Sequence, residues 1–548
     1  MSREKYTFST DTLGGMLLEM SARQPEADAL VFPDDKRSFN QIADDAIKKA
    51  RSLQALGVKP GDHVGILLPT CMDFPEVFFA VSMCGAIAVP VNTRNQYREI
   101  AYLVENAELV CLFTTDIVED HVHFAERVTK ALPGLEQQQD TKALSLAAFP
   151  ALKSLVYLGT SNAPGFLSQA DFDALADTSD EERVYQSAAA VDPDTPGLML
   201  YTSGTTSNPK GCPINHRSML DNSRALAERY ELTGADKFWS PLPLCHIAGI
   251  LPMLAIFAEG GSYQTMSYFD TTIALKMLAE NKVTAAYPCF VTIISDLVNH
   301  PEFPNTDLSA IRVMNSNFAV QPKELAEKVA AVMPNAIQVG TFGMTETAGT
   351  VCTSRLSDPL ETRLTKLGVP LSGWEVKIID EETGKEAVTG ERGEIAVRGS
   401  SVCNCYYKDD EKTTESFKDG WFFTGDVGSL DEQGQIMFHG RLKDMLKVGG
   451  ENVAAAEIEA HLQTHPAVKL AQVVGVPDAR MGEVAAACLE LHDEQSISSD
   501  EIIDHCKGEI ASFKIPRYVS VVTAWPMSTS KIQKFKLRDQ VINEHNLS

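Results

Sequence analysis

The chain opens on MSREKYTFSTDTLGG, which has no apolar core, so no secretory leader is expected. No apolar run is long enough to span a bilayer, which excludes a transmembrane segment. Metal-binding or disulfide patterning is also lacking. Of 11 cysteines only Cys403 and Cys405 lie close together, and no CxxC pair occurs. That spacing argues against a zinc site and a disulfide framework, and it points to a reducing cytoplasm. Positive charge is scarce: 48 Lys plus Arg stand against 74 Asp plus Glu, a net charge of −26. A nucleic-acid coat or an anionic-membrane binder is excluded by that balance. A phosphate ligand is not, because a few local cations and backbone N–H groups can hold one. No internal repeat and no low-complexity tract is present. What remains is 548 residues, enough for roughly three to five units. Hydrophobic residues make up 44%, enough for a large core and too many for a disordered chain.

Strand and helix patterns alternate through the first 370 residues. Helices are expected at LGGMLLEMSARQ, FNQIADDAIKKARSLQALG and FPEVFFAVSMCGA, and strands at ALVFPD, HVGILLP (63–69) and AIAVPVN (86–92). Such alternation implies parallel βαβ units. The stretch 133–192, rich in Gln, Ser, Ala and Asp, reads as a surface excursion. From 373 onward short strands and Gly-rich turns replace the helices, suggesting a small distorted β-barrel. The polar, basic segment 440–452 marks the main boundary. Beyond it come helix AAAEIEAHLQTH, strand KLAQVVGVP, helix SDEIIDHCKGEIA and strand YVSVVT.

Five motifs carry chemistry. Tyr201-Thr-Ser-Gly-Thr-Thr-Ser-Asn-Pro-Lys-Gly211 crowds hydroxyls, glycines and one lysine into a loop after a strand, the donor set a polyphosphate needs. It is not a Walker A loop, since Pro209 stands where that motif has Gly. Thr341-Phe-Gly-Met-Thr-Glu346 sets a hydroxyl beside a carboxylate after a glycine, suited to a phosphate oxygen and its Mg²⁺. In Gly420-Trp-Phe-Phe-Thr-Gly-Asp426 the aspartate suits two ribose hydroxyls. Gly440 to Asn452 places Arg441, Lys443 and Lys447 within seven residues, with a glycine pair that admits close approach to an anion. Pro526-Met-Ser-Thr-Ser-Lys531 puts a lysine in a Ser/Thr loop near the end. Taken singly, each also reads as an ordinary turn, helix start or solvated charge run.

Together, in this order and spacing, they resemble the adenylate-forming superfamily, in particular its acyl-CoA synthetases. The resemblance extends to ILLP, GAIAVPVN, PLPLCHIAG (241–249), GERGEIAVRG (390–399), DGWFFTGDVG (419–428) and VVGVPDARMGE (473–483), and so covers nearly the whole chain. It implies an α/β fold: a large N-terminal region (1–440) of two αβ subdomains plus a distorted β-barrel, and a small mobile α+β C-terminal domain (441–548) hinged near Lys443. It implies an AMP-forming acyl-CoA ligase that uses ATP, Mg²⁺ and CoA, acts on a small-molecule carboxylic acid, and binds no nucleic acid. Many relatives are homodimers, which leaves a homodimer open. Two other readings stay open: an enzyme loading a separate carrier protein, and a silent nucleotide-binding homologue.

The resemblance also implies roles. Thr202, Ser203, Gly204, Thr205, Thr206 and Lys210 would hold the β- and γ-phosphates, Thr345 the α-phosphate and Glu346 the metal. Asn317, Gly340, Phe342 and Gly343 would line the nucleotide, and Asp426 with Arg441 would take the ribose. Lys531 would bridge the acid's carboxylate and the α-phosphate; Lys534 is the alternative, because the terminal motif lacks its usual Gly. Lys447, Gly449, Gly450 and Glu451 would meet CoA. His246 would gate the passage between CoA and an acyl pocket of Trp239, Ile250, Pro288, Phe290 and Met344. That pocket has no Lys or Arg, so an apolar acid is expected.

Overall fold

The computed structural model describes residues 5–160, 162–202, 209–317, 323–380, 382–442, 445–448, 451–478, 481–493, 495–510, 512–528 and 531–547. Caps at the start of the chain set the first helices where the sequence predicts them. The Thr12 hydroxyl accepts from the Gly15 N–H at 3.2 Å, opening helix Leu13–Arg23. Ser38 and Gln41 exchange hydrogen bonds across the first turn of helix Phe39–Ala55.

Among the described residues, the first subdomain is a seven-stranded sheet. In spatial order its strands are Leu167–Ser168, Ser154–Leu158, Cys111–Thr115, His63–Ile66, Ile87–Pro90, Pro196–Thr202 and Lys210–Asn215. All pairs are parallel except the last, an antiparallel hairpin. The stretch 133–192 is not a surface excursion. Strand Ser154–Leu158 is buried along its whole length beside Cys111–Thr115, and helix Glu181–Ala190, which buries Val184, Tyr185 and Ala188, packs against helices Leu13–Arg23, Phe39–Ala55 and Asp73–Met83. Its polar residues belong to the connections on either side, which is what misleads a reading by composition.

A second, nine-stranded sheet runs Val369–Pro370, Gly349–Thr353, Ile337–Met344, Val313–Asn317, Ala285–Ala286, Lys237–Trp239, Ser262–Gln264, Asp28–Val31 and Lys36–Ser38. Its five central pairings are parallel, and antiparallel pairs finish both edges. The region after 373 is a five-stranded antiparallel sheet, curled around the central strands Gly393–Gly399 and Trp421–Leu430. The C-terminal domain has its own sheet and its own core, whose buried members run from Leu446 to Val541. No helix among the described residues is long and apolar enough to cross a membrane.

His216 joins the first sheet to the helix that follows it. The ring is 1% exposed, accepts from the Leu13 N–H at 3.4 Å and presses on Gly197, where a Cβ would lie 2.3 Å from the imidazole. Burial pushes its pKa down to about 4. Between about 4 and about 6.5, therefore, the unfolded state binds more protons than the folded one. The stability His216 contributes is complete above about 6.5 and falls through this window by about 3 kcal/mol. Glu76, held near 7 by burial, acts in the opposite direction, so the readout is the difference between wild type and His216→Gln. Urea midpoints from pH 7.5 to 4.5 should fall less steeply in the variant.

Candidate active site

The phosphate-loop motif sits at the end of the antiparallel hairpin of the first sheet. Thr202 and Lys210 face each other in its register, and Tyr201 faces Gly211. Ser203, Gly204, Thr205 and Thr206 lie outside the described residues. Two tyrosines fix the base of the loop: Tyr201 donates to Asn106 Oδ1 at 2.6 Å, and Tyr102 to the Pro209 carbonyl at 3.1 Å. Gly211 allows the segment 403–407 to lie against this hairpin, with the Tyr407 N–H donating to the Gly211 carbonyl at 2.8 Å. A Cβ at Gly211 would be 3.1 Å from Tyr407 Cβ. Lys210 extends over the Tyr406 ring, its Nζ 5.2 Å from the centroid.

The second motif is a hairpin in the nine-stranded sheet. Strands Ile337–Met344 and Gly349–Thr353 are joined by a 3-10 turn, Thr345–Thr347. Closing it needs unusual backbone. Ala348 has φ +51° and Gly349 φ +109°, and a Cβ on Gly343 would stand 2.1 Å from the Gly349 carbonyl oxygen. Asn222 donates to the carbonyls of Thr347 and Ala348 at 3.2 and 3.0 Å, and Trp374 donates to Asn222 at 3.1 Å. Thr345 and Glu346 are thereby held half-buried at the turn. Glu346 Oε1 accepts from the Tyr406 hydroxyl at 3.0 Å, and its carbonyl accepts from the Cys403 N–H at 2.8 Å. Beneath the turn, Asn315 donates to Tyr230 and Thr341, Thr341 to Thr353, and Thr353 to the Gly340 carbonyl. This buried layer fixes Gly340 and seats Phe342, which is 3% exposed. Asn317 ends the neighbouring strand.

Asp426 and Arg441 are register partners on adjacent strands, Nε to Oδ1 3.5 Å, with Asp426 6% exposed. The Thr424 hydroxyl accepts from the Asp426 N–H at 3.1 Å, and Gly425, at φ +70°, turns the strand.

On the acyl side, His246 precedes helix Ile247–Glu259, its N–H donating to the Pro243 carbonyl at 3.1 Å. Ile250, Phe290 and Met344 belong to one apolar cluster. Pro288 is buried and Phe290 half-buried around Cys289, whose φ of +57° bends the segment sharply. Trp239 lies apart, fully buried in a second cluster with Met266, Ala286 and Met314.

In the C-terminal domain, strands Met445–Val448 and Glu451–Ala454 pair with Lys447 opposite Asn452 and Val448 opposite Glu451. Lys443, Gly449 and Gly450 lie outside the described residues. Lys531 sits on a short strand opposite Ser528. Lys534 is committed elsewhere: its Nζ is 2.6 Å from Glu459 Oε1, which also accepts from the Val473 N–H at 2.7 Å. Sequence reasoning missed Tyr406, Asn222 and Trp374, which chemical motifs do not mark because they act through other residues.

Comparison with known proteins agrees with this geometry. A family model described as AMP-binding enzyme matches residues 18–407, and one described as AMP-binding enzyme C-terminal domain matches 457–531. A Bacillus subtilis (strain 168) protein named as an acyl-CoA synthetase, YngI, is 35% identical over 542 residues, covering 98% of each chain. The medium-chain acyl-CoA ligase ACSF2, mitochondrial, of Danio rerio is 30% identical over 98% of this chain and 89% of its own. The crystal structure of the anthranilate CoA ligase AuaEII with anthranoyl-AMP superposes with a TM-score of 0.87 at 25% identity, covering 100% of both chains.

The Lys534–Glu459 contact yields a direct prediction. Lys534→Met should lower the stability of the C-terminal domain by about 2 kcal/mol, the scale of a hydrogen bond to a charged group. Glu459→Gln should do likewise, and the double variant should lose little more than either single one in chemical unfolding.

Proposed function

The chain belongs to the AMP-binding enzyme family and is an AMP-forming acyl-CoA ligase, and we propose that its acid is apolar and that the residues above divide the reaction between them. The acid's carboxylate attacks the α-phosphate of ATP, giving acyl-AMP and pyrophosphate. The CoA thiol then attacks the acyl carbonyl and releases AMP. Little covalent work falls to the protein; it positions two anions and neutralises their charge.

One observation carries the assignment. Lys210 and Glu346 are brought to the two sides of a single residue, Tyr406, yet among the described residues neither is ion-paired. A cation and an anion held close but not spent on each other suit a polyphosphate that arrives with its own cation. In this reading Thr202 and Lys210, with Ser203, Gly204, Thr205 and Thr206, take the outer phosphates, and Thr345 the α-phosphate. Asp426 and Arg441 take the ribose; Asn317, Gly340, Phe342 and Gly343 flank the base. The donors beside Glu346 are hard oxygens, its own carboxylate and the Thr345 hydroxyl, which fits Mg²⁺ bound through one carboxylate and the substrate's phosphates. When bound there, Mg²⁺ would offset phosphate charge.

Lys531 is assigned to the meeting point of acid and α-phosphate, and the commitment of Lys534 to Glu459 supports that choice. Lys443 is assigned as the hinge between domains 1–440 and 441–548. Lys447, Gly449, Gly450 and Glu451 are assigned to CoA, with His246 at the passage. The apolar cluster of Ile250, Phe290 and Met344 supports an apolar acid, and the relative named as a medium-chain ligase makes medium-chain acids the first to test. Trp239, assigned to the same pocket on the resemblance, packs with Met266, Ala286 and Met314. A cytoplasmic setting, fitting eleven free cysteines, and a homodimer belong to the same proposal.

Protein given ATP, Mg²⁺, CoA and a pool of short, branched, aryl, medium-chain and steroid acids should yield a new acyl-CoA mass from an apolar acid. Acyl-AMP without thioester would point instead to a carrier protein, and a dicarboxylate product would overturn the apolar pocket. Lys531→Ala should slow acyl-AMP formation by roughly 10²–10³-fold with an unchanged melting profile. Loss in a folded Lys534→Ala but not in Lys531→Ala would reverse the assignment. Substitution of Lys447 or Gly450 should spare acyl-AMP formation and slow thioester formation; equal loss of both would sink their assignment to CoA.

A further inference from the structure

Segment 400–407 threads between the phosphate-loop hairpin and the Glu346 turn, and it is tied to both. The Ser218 hydroxyl donates to the Ser400 carbonyl at 2.7 Å, Cys403 N–H to the Glu346 carbonyl at 2.8 Å, and Tyr407 N–H to the Gly211 carbonyl at 2.8 Å. Tyr406 is the side chain that this threading places in the gap. Its own N–H donates to Thr413 at 2.9 Å, its ring packs edge-on against Phe417 at 5.7 Å, and it is 6% exposed. Its hydroxyl donates to Glu346 Oε1 at 3.0 Å, while the Lys210 ammonium lies 5.2 Å from its ring centre.

We propose that Tyr406 is a positioning residue with two tasks: its hydroxyl orients the Glu346 carboxylate toward the cation that accompanies ATP, and its ring keeps Lys210 from pairing with that carboxylate. The inference rests on the reading of Glu346 and Lys210 given above. Its physical basis is simple. A lysine beside a carboxylate in a half-buried cleft makes a direct ion pair unless something holds the two apart. Such a pair would neutralise the two groups that the polyphosphate and its cation need. An aromatic face attracts an ammonium without discharging it, and a phenol donates to a carboxylate without carrying a charge of its own. Residues that hold a metal's ligand from behind typically change metal affinity 10- to 100-fold when removed.

The test uses the full chain without acid or CoA, so that no turnover occurs. Mn²⁺ is the probe, its binding to the protein–ATP complex read by electron paramagnetic resonance, with metal-free ATP binding read by calorimetry. Tyr406→Phe keeps the ring and loses the hydroxyl. It should weaken Mn²⁺ binding roughly tenfold and leave metal-free ATP affinity within about twofold. Tyr406→Leu removes the ring as well and should weaken both. Within a Glu346→Gln background, Tyr406→Phe should produce no further loss of Mn²⁺ affinity, a coupling that a merely structural role would not show. If Glu346→Gln weakens Mn²⁺ binding and Tyr406→Phe does not, the role of Tyr406 is refuted while the metal assignment stands. If neither weakens it, the Glu346 assignment fails and this inference falls with it. Should Tyr406→Phe melt early, the same measurements are made in the cold, below its transition, and should show the same tenfold loss.

Discussion

A carboxylate and a polyphosphate repel one another, and the chain that must bring them together carries a net charge of −26. Every cation in the cleft therefore counts, and so does every acid that could consume one. Over much of the molecule lysines and arginines are spent on neighbouring carboxylates: Lys49 on Glu76 and Asp73, Arg312 on Asp236, Lys366 on Asp431, Lys534 on Glu459. Lys210 is treated differently. It leans on an aromatic ring, and the nearby carboxylate is occupied by a neutral donor. What a cation is used for thus depends on what lies within reach of it, which residue type alone does not reveal, and the surroundings of Lys210 suit the phosphate role proposed for it.

That arrangement depends on backbone rather than on side-chain reach. Two hairpins from two different sheets are brought side by side, and each has contacts that fix its strands. In one, Tyr201 and Tyr102 brace the strand ends against the helix Tyr97–Asn106. In the other, glycines at 343 and 349 let two strands touch, and Asn222 caps the carbonyls that the turn exposes. Segment 400–407 then links the two hairpins by main-chain hydrogen bonds to Gly211 and Glu346. Main-chain bonds hold position more tightly than long flexible side chains can, because fewer torsions must be frozen.

The sequence is most legible where one residue type has one physical use. Apolar patterning places the helices Leu13–Arg23, Phe39–Ala55 and Asp73–Met83 and the strands between them, and side-chain caps at Thr12 and Ser38 open the first two. Asp426 and Arg441, fifteen positions apart, prove to be register partners. It is least legible where a residue works through another. Nothing local to Tyr406 points to Glu346, sixty positions away, and Asn222 looks like any polar helix residue until the carbonyls it caps are seen. Strand Ser154–Leu158 was hidden for a different reason: five buried residues carry too short a signal against the polar connections around them. The motif favours Lys531 over Lys534, and the ion pair that consumes Lys534 is in keeping with that preference.

The C-terminal domain adds a last constraint. Its buried apolar residues contact one another, and none of them comes from the first 445 positions. A unit that keeps its own core can be turned without exposing apolar surface, so the cost of reorienting it lies in polar contacts and in a short connection. The groups assigned above to successive steps are both carried on paired strands of this unit: Lys531 opposite Ser528, and Lys447 with Glu451 across the pair Met445–Val448 and Glu451–Ala454. Under the assignment proposed above, presenting one group or the other would call for a rotation of the domain as a unit. A cleft with few cations would in that case serve two reactions, the cation assigned to the first step leaving with its domain before the second begins.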